Sequence, residues 1–269
     1  MTMLSVLRQM IFRRRTSLIW WCLGLVGVDA MWAIAYPTLR NNAALDKTFS
    51  NLSPSVKALL GLSNGVLITS PVGYLDSQFY ANVLPIVLLI FAVGLATWAV
   101  AGDEAAGTLE LLLANPVSRV RVAVERAVAM VAMLLTLALV CGGALAAMAP
   151  IVALNAGLPL YRIVTAAVAS ALLALVFAAL AFAIGAATGR RGIAVATATS
   201  VAVFGYILEG VAQQVGFLRP LRLLNPWHWM LSTDPLGRGA SWQAFLLPLA
   251  VSAVLFALGA ARFASRDLR

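Results

Sequence analysis

Few side chains in this sequence of 269 residues could carry out chemistry, and most of them stand alone. His228 is the single histidine, and the two cysteines, Cys22 and Cys141, both fall inside apolar runs. Nucleophilic catalysis needs a nucleophile beside a base, and a metal centre needs several ligands together. These residues therefore predict neither a catalytic site nor a metal site.

The carboxylic acids Asp29 and Glu209 stand out because each falls within an apolar run. An ionisable group there is costly, so both predict an intramembrane polar site. If the helix carrying Glu209 ends near Gly210, however, its carboxylate lies at the outer boundary, near Arg219 or Arg222. Asp29 lies in the outer half of its run, and the same alternative applies to it.

Apolar helices must position these residues. Hydrophobic residues make up 62% of the sequence and charged residues 11%, whereas a soluble domain carries roughly 25% charged residues. Six apolar runs approach the ~20 residues that cross ~30 Å of hydrocarbon, and they cover about 17–36, 79–101, 127–149, 163–187, 193–214 and 244–262. The sequence predicts an all-α polytopic membrane protein, with residues 1–269 forming a single transmembrane domain.

Basic residues orient this domain. The net charge of +9 is spread over segment ends, which fits anionic lipid head groups better than a nucleic-acid surface. With the N-terminus inside, twelve Lys and Arg residues are cytoplasmic and seven are external. Both termini are therefore predicted to be cytoplasmic, with external loops at 37–78 and 215–243 and a cytoplasmic loop at 102–126. The arginine-rich, lysine-poor composition is typical of a GC-rich bacterium, which places the chain in a bacterial plasma membrane.

Two short helices are predicted outside the spans. Apolar residues recur at helical spacing between Met3 and Ile11, the pattern of an N-terminal helix lying in the membrane surface. A frayed terminus is the alternative. In the first external loop, Ser53 and Pro54 predict a helix start, and Gly61 predicts its end.

Residues 218–242 are too polar and too rich in proline to span the membrane. Their leucine and tryptophan residues favour a re-entrant or interfacial hairpin packed against protein at the outer leaflet. The turn between its two pieces is predicted at Asn225, Pro226, Trp227, His228 and Trp229. An aromatic-belt loop that only anchors the outer surface is the alternative, and His228 is then an interfacial side chain.

The cytoplasmic loop carries an acidic pair and then the segment GTLELLLANPVSR, at Asp103, Glu104 and Gly107–Arg119. Leu109, Leu112 and Leu113 share one helical face, and Glu110 lies in the first turn, where the helix dipole favours an acid. Pro116 disfavours continuation. The pattern predicts a short amphipathic helix that either seats in a groove of another protein or packs on its own bundle.

This loop motif resembles the segment after the second span in permeases of type-2 ABC exporters. Six spans, cytoplasmic termini, an N-terminal interfacial helix and a hairpin before the last span are also similar to that family. The resemblance therefore covers essentially the whole chain, although only the loop motif is specific to the family.

The resemblance implies a permease subunit of an exporter that pairs with a second permease, as a homodimer or heterodimer. A separate ABC ATPase would bind ATP and Mg, with no cofactor on this chain. The cargo would be hydrophobic or amphipathic, such as a drug, an antibiotic, a lipid or a peptide. Contact with the ATPase would fall to Asp103, Glu104, Gly107, Thr108, Leu109, Glu110 and Arg119, with Leu112 and Leu113 completing the apolar face. An external gate would fall to the hairpin, at Asn225, Pro226, Trp227 and His228.

The chain has no phosphate-binding loop of its own. That loop needs Gly-Lys-Ser/Thr, and the only lysines, Lys47 and Lys57, follow Asp46 and Val56. The cytoplasmic loop is also far shorter than a typical domain of ~100–150 residues. The motor must therefore be another polypeptide, and the chain itself is not predicted to be an enzyme.

Two other functions compete with this one. An ion-coupled carrier working without an ATPase would use Glu209 or Asp29 as its proton site, although no inverted repeat is evident. A membrane-embedded enzyme would need a nucleophile and base at membrane depth, which one histidine in an external segment does not provide.

Overall fold

The computed structural model describes residues 5–40, 42–52, 56, 66–99, 118–212, 215–232 and 234–265. Within these ranges the regular structure is helical, with no β-strand, so the predicted all-α fold is confirmed. Two predicted helices lie largely outside the described residues. They are the external helix near 53–61, of which only Val56 is described, and the cytoplasmic helix at 107–119, of which only Ser118 and Arg119 are described.

Ten α-helices lie within the described ranges. They are α1 (Ser5–Leu39), α2 (Ala43–Ser50), α3 (Pro71–Leu75), α4 (Val83–Thr97), α5 (Arg119–Met148), α6 (Leu160–Thr188), α7 (Arg191–Val211), α8 (Arg219–Arg222), α9 (Pro226–Leu231) and α10 (Trp242–Ser265). Single π-helical turns at Asp76–Tyr80 and Pro235–Gly239 and a 3₁₀-helical turn at Gly216–Leu218 join neighbouring helices.

Among the described residues, six helical segments are long and apolar enough to cross a membrane, as the sequence predicts. They are Val6–Leu39, Pro71–Thr97, Arg119–Met148, Leu160–Thr188, Arg191–Val211 and Trp242–Ser265. Helix α5 begins well before the predicted start of its apolar run. The reason is a helix cap, because the Ser118 hydroxyl accepts a hydrogen bond from the Arg121 backbone N–H at 3.3 Å.

The predicted N-terminal interfacial helix is not a separate element. The structure joins it to the first span in α1, which runs for 35 residues, or ~52 Å at ~1.5 Å per residue. Residues 5–23 contain no glycine or proline, so nothing breaks the helix between the basic segment and the apolar run. Residues 1–4 lie outside the described ranges.

Helix α6 forms the centre of the bundle, where it packs against α4, α5, α7 and α10. In the most apolar 18-residue stretch of α6, 78% of the residues are buried. In the corresponding stretches of the other helices the buried share is 17% in α1 and 28% in both α7 and α10. Small residues bring the helices together, since a Cβ on Gly142 would lie 2.9 Å from the Cβ of Ala167. Helices α1, α7 and α10 therefore present most of the outward-facing apolar surface.

The bundle has two distinct ends. At the amino end, the N-terminus of α1 meets the beginning of α5, where Glu125 accepts hydrogen bonds from Val6 and Leu7. At the opposite end, which we call the hairpin end, α8 and α9 meet the C-terminus of α7. Helix α2 is held at this end by Asp46, whose carboxylate accepts from the backbone N–H and the hydroxyl of Thr69 at 3.2 and 2.7 Å.

Candidate functional site

Most of the predicted coupling residues lie outside the described ranges. Asp103, Glu104, Gly107, Thr108, Leu109, Glu110, Leu112 and Leu113 belong to this group. Arg119 is described, and it is the first residue of α5. The assignment of an ATPase contact to these residues stays a prediction, and what the structure adds is where the segment leads, namely directly into α5.

Within the predicted hairpin region, residues 216–232, which we call the hairpin from here on, contribute Arg222 and His228 to a three-residue cluster with Glu209 of α7. Glu209 lies in the last turn of α7 and is only 5% exposed. Its carboxylate accepts from the Arg222 guanidinium, with Nε 3.2 Å from Oε1, and Oε1 lies 3.0 Å from Nδ1 of His228. The helix ends at Val211, and Arg222 rather than Arg219 contacts the carboxylate. The depth of Glu209 in the membrane stays a prediction.

Asn225 and Trp227 dock the hairpin on the backbone of α7. The Asn225 amide donates to the Gly205 carbonyl at 2.8 Å, and the Trp227 indole N–H donates to the Ala202 carbonyl at 2.9 Å. Gly205 makes this contact close, because a Cβ there would lie 2.9 Å from Asn225 Oδ1. Trp227 is 2% exposed and packs edge-on against Tyr206, with ring centroids 4.9 Å apart.

The predicted turn is shifted in the structure. Pro226, Trp227 and His228 form the beginning of helix α9, and the chain reverses just before them. Asn225 starts the helix, since its side chain accepts from the Trp227 N–H at 3.3 Å, and Pro226 occupies the first helical position, which its fixed φ favours. The two short helices of the hairpin are thus present, and their position relative to the membrane stays a prediction.

The hairpin cluster is suited to holding two elements together. A buried carboxylate paired with a guanidinium is stable when its hydrogen bonds are satisfied, and removing a partner leaves a buried charge uncompensated. Proton transfer to a substrate would require an open approach to the carboxylate, which Arg222 and His228 occupy. The geometry therefore supports a latch between α7 and the hairpin.

Asp29 is fully buried inside the bundle. The thiol of Cys141 on α5 donates to Asp29 Oδ1 at 3.5 Å, and among the described residues Oδ2 has no hydrogen-bond partner. Cys141 is buried and Cys22 is half-buried, and both are free thiols. A buried carboxyl without full hydrogen bonding is costly, and the assignment of Asp29 to an intramembrane polar site stays a prediction. Its role in transport stays a prediction.

Several contacts at the hairpin end were not predicted. The Arg162 guanidinium donates to the carbonyls of Leu236 and Gly237, which ties the start of α6 to the loop before α10. The carboxyl group of Asp76, which is buried, lies close to that of Asp234. These partners are far apart in the chain and follow no helical or strand period, so the sequence carried no signal for them.

No group of three or more His, Cys, Asp and Glu side chains that could hold a metal ion occurs among the described residues. The ionisable side chains that the structure brings together form hydrogen bonds and ion pairs within the protein.

The comparisons with known proteins agree with this architecture. The profile of the family described as ABC-2 family transporter protein matches residues 27–268, nearly the whole chain. No curated protein matches the chain. Permeases of this family are transport subunits rather than catalytic subunits, and they work with an ABC ATPase. The six apolar helices and the extent of the match together show that the chain is a multi-pass membrane protein belonging to the ABC-2 transporter family.

Proposed function

We propose that this chain forms half of the translocation pathway of an ATP-driven exporter, in which two permeases, identical or homologous, enclose the pathway between them. The observation that carries this proposal is the family match over residues 27–268. A separate ABC ATPase supplies the energy by binding ATP and Mg. Closure of the ATPase rocks the two permeases and switches the pathway from inward-open to outward-open.

The coupling segment, residues 107–119, is the proposed contact with the ATPase. Its leucine face suits a groove on another protein, and its acidic residues suit a basic rim. Because the Ser118 cap starts α5 directly after this segment, a displacement of the segment is delivered to a helix of 30 residues that crosses the bundle. Both termini and this segment face the bacterial cytoplasm.

The hairpin is the proposed external gate. It rests on α7 through the Glu209 cluster and through Asn225 and Trp227. Only 28% of the residues in the most apolar stretch of α7 are buried, so much of its surface is available for a second permease or for lipid. Movement of α7 would therefore carry the hairpin with it.

Membrane lipid is a further proposed partner. A cavity of about 200 Å³ opens at the amino end between α1, α4 and the start of α7, and Arg14, Trp98 and Arg191 contribute to its wall. The Arg14 guanidinium stacks on the Trp98 ring at 3.8 Å from the centroid. Guanidinium groups beside tryptophan are typical of the interface with anionic head groups.

The proposal is tested by co-purification with an ABC ATPase co-expressed from the same genome. We expect the wild-type chain to retain the ATPase in detergent and Glu110→Arg to lose at least ~10-fold of it, which corresponds to ~1.4 kcal/mol. Lys47→Glu is the matched control, because it reverses an exposed charge in α2 at the hairpin end. Failure of the wild-type chain to retain any ABC ATPase of its host contradicts the proposal.

Asp29 favours one second candidate, an ion-coupled carrier, because its carboxyl is buried with one oxygen unpaired among the described residues. A fluorescent amphiphilic dye in membrane vesicles separates the two functions. Transport that persists without a proton gradient and stops on ATP depletion supports the exporter. Transport that stops when the gradient collapses, ignores ATP and is lost in Asp29→Asn supports the carrier.

A further inference from the structure

Two adjacent charged residues near the start of α5, Glu125 and Arg126, reach in different directions. Both are nearly inaccessible, at 6% and 4% exposure. Successive residues of a helix point about 100° apart, so neighbours in sequence can contact different partners. Glu125 contacts α1, and Arg126 contacts the end of α4.

Glu125 caps the N-terminus of α1. Its Oε2 accepts from the backbone N–H groups of Val6 and Leu7 at 2.9 and 3.1 Å, and its Oε1 accepts from Arg121 Nε at 2.8 Å. These two N–H groups lie in the first described turn of α1, and backbone N–H groups in a first helical turn are commonly bound by a side-chain acceptor. The negative charge also complements the positive end of the helix dipole.

Arg126 contacts the last described residues before position 100. Its guanidinium donates to the carbonyl of Ala99, just beyond the last residue of α4 at Thr97. A buried guanidinium that donates to a backbone carbonyl of another helix is a charge-assisted hydrogen bond that ties the two helices together. One turn of α5 thus contacts two neighbouring helices, α1 through the Glu125 carboxylate and α4 through the Arg126 guanidinium.

We propose that Glu125 and Arg126 are positioning residues that clamp α1 and α4 to the start of α5, so that the three helix ends move as one body. The clamp lies directly after the coupling segment, because α5 begins at Arg119. Its mechanical role rests on the proposed function, whereas the clamp itself is a property of the chain alone. The two parts can be tested separately.

The clamp is tested by hydrogen–deuterium exchange of the full chain in lipid nanodiscs. We expect the Val6 and Leu7 amides to exchange at least ~10-fold faster in Glu125→Ala, because a hydrogen bond to a charged group is lost at each. Glu125→Gln keeps an acceptor oxygen and should give an intermediate rate. Arg121→Ala is the control, since it removes the ion pair and leaves the acceptor in place. Unchanged exchange in Glu125→Ala overturns the clamp.

The mechanical role is tested in the complex with the ATPase. The reporter is Leu224→Cys, which places a thiol on the hairpin where the side chain is 77% exposed, in a chain whose two native cysteines are replaced by alanine. With the clamp intact, we expect ATP to change the rate of maleimide labelling at least ~3-fold. ATP shifts the equilibrium between two conformations that differ by about a few kcal/mol or less, and the thiol is exposed differently in each. We expect no change in Glu125→Ala or Arg126→Ala although ATP is still hydrolysed, and a partial response in Glu125→Gln.

Each outcome has a separate meaning. A full ATP response in both alanine variants overturns the mechanical role even if exchange is faster. If the wild-type chain retains no ATPase, the proposed function and the mechanical role fail together. The exchange experiment still decides whether the clamp exists.

Discussion

Glu209 accepts from the Arg222 guanidinium and contacts the His228 ring at the end of α7, and its burial makes this cluster important for stability. We expect Glu209→Gln to lower the free energy of unfolding by about 2 kcal/mol. This is less than the ~3–5 kcal/mol of a fully buried pair, because the side chains of Arg222 and His228 are 22% and 20% exposed. Thermal unfolding in detergent measures the effect.

Arg219→Gln is the control for Glu209, since Arg219 lies in the same hairpin and is exposed. Its effect on the free energy of unfolding should stay within ~0.5 kcal/mol, as for most surface substitutions. Equal destabilisation by the two variants would show that the ionic cluster does not hold the hairpin.

Trp227 separates hydrogen bonding from packing. Trp227→Phe keeps most of the ring and loses the donor to the Ala202 carbonyl, so we expect a cost of about 1 kcal/mol. Trp227→Ala also loses the buried ring and should cost ~3–5 kcal/mol. Trp242→Ala is the control because that ring is 63% exposed. A phenylalanine variant as unstable as the alanine variant would contradict this partition.

At the residue scale, the sequence identified ionisable groups but not all of their partners. Glu209 was singled out because it interrupts an apolar run, and Arg222 followed from the predicted end of that run. The partners of Glu125 could not be predicted, because α1 contacts α5 through backbone groups more than a hundred residues away in the chain. Side-chain periodicity specifies a face of a helix and leaves the choice of neighbour open.

At the scale of elements, the contact between α5 and α6 depends on one glycine. Gly142 leaves no room for a larger side chain, since a Cβ would lie 2.9 Å from Val164 Cα. We expect Gly142→Leu to destabilise the bundle by ~1–3 kcal/mol or to prevent its assembly. A Cβ on the neighbouring Gly143 would have no atom within 4 Å. Gly143→Ala should therefore raise the free energy of unfolding by up to ~1 kcal/mol through helix propensity.

Unfolding in detergent and the yield of folded protein measure both glycine variants. A Gly142→Leu protein as stable as the wild type would show that α5 and α6 are not in close contact.

The elements themselves were largely predictable. Apolar runs near 20 residues located the six spans, because the bilayer imposes that length. Helix ends were less predictable, since capping groups such as Ser118 and Glu125 extend α5 and α1 beyond the apolar runs. The π-helical turns at Asp76–Tyr80 and Pro235–Gly239 had no sequence signal. A π-helical turn contains one more residue than an α-helical turn, and a single turn is too short to produce a periodic pattern.

At the scale of the whole molecule, the chain is a helical membrane protein of a transport-subunit family, and its proposed function depends on where an ABC ATPase can reach it. The central claim is that the coupling segment faces the cytoplasm and meets an ABC ATPase there. The amino end of the bundle gathers the first turns of α1 and α5 beside the end of α4. A force applied next to α5 therefore enters three helices at once.

The most direct test labels an engineered thiol at Leu112→Cys with an impermeant maleimide, in a chain whose Cys22 and Cys141 are replaced by alanine. The control is Ala44→Cys in α2, which is exposed at the opposite end of the bundle. We predict that Leu112→Cys is protected in intact cells, is labelled after permeabilisation, and is labelled more slowly when the ATPase is co-expressed, while Ala44→Cys is labelled in intact cells. Labelling of Leu112→Cys in intact cells would contradict the proposed coupling of this permease to a cytoplasmic ATPase.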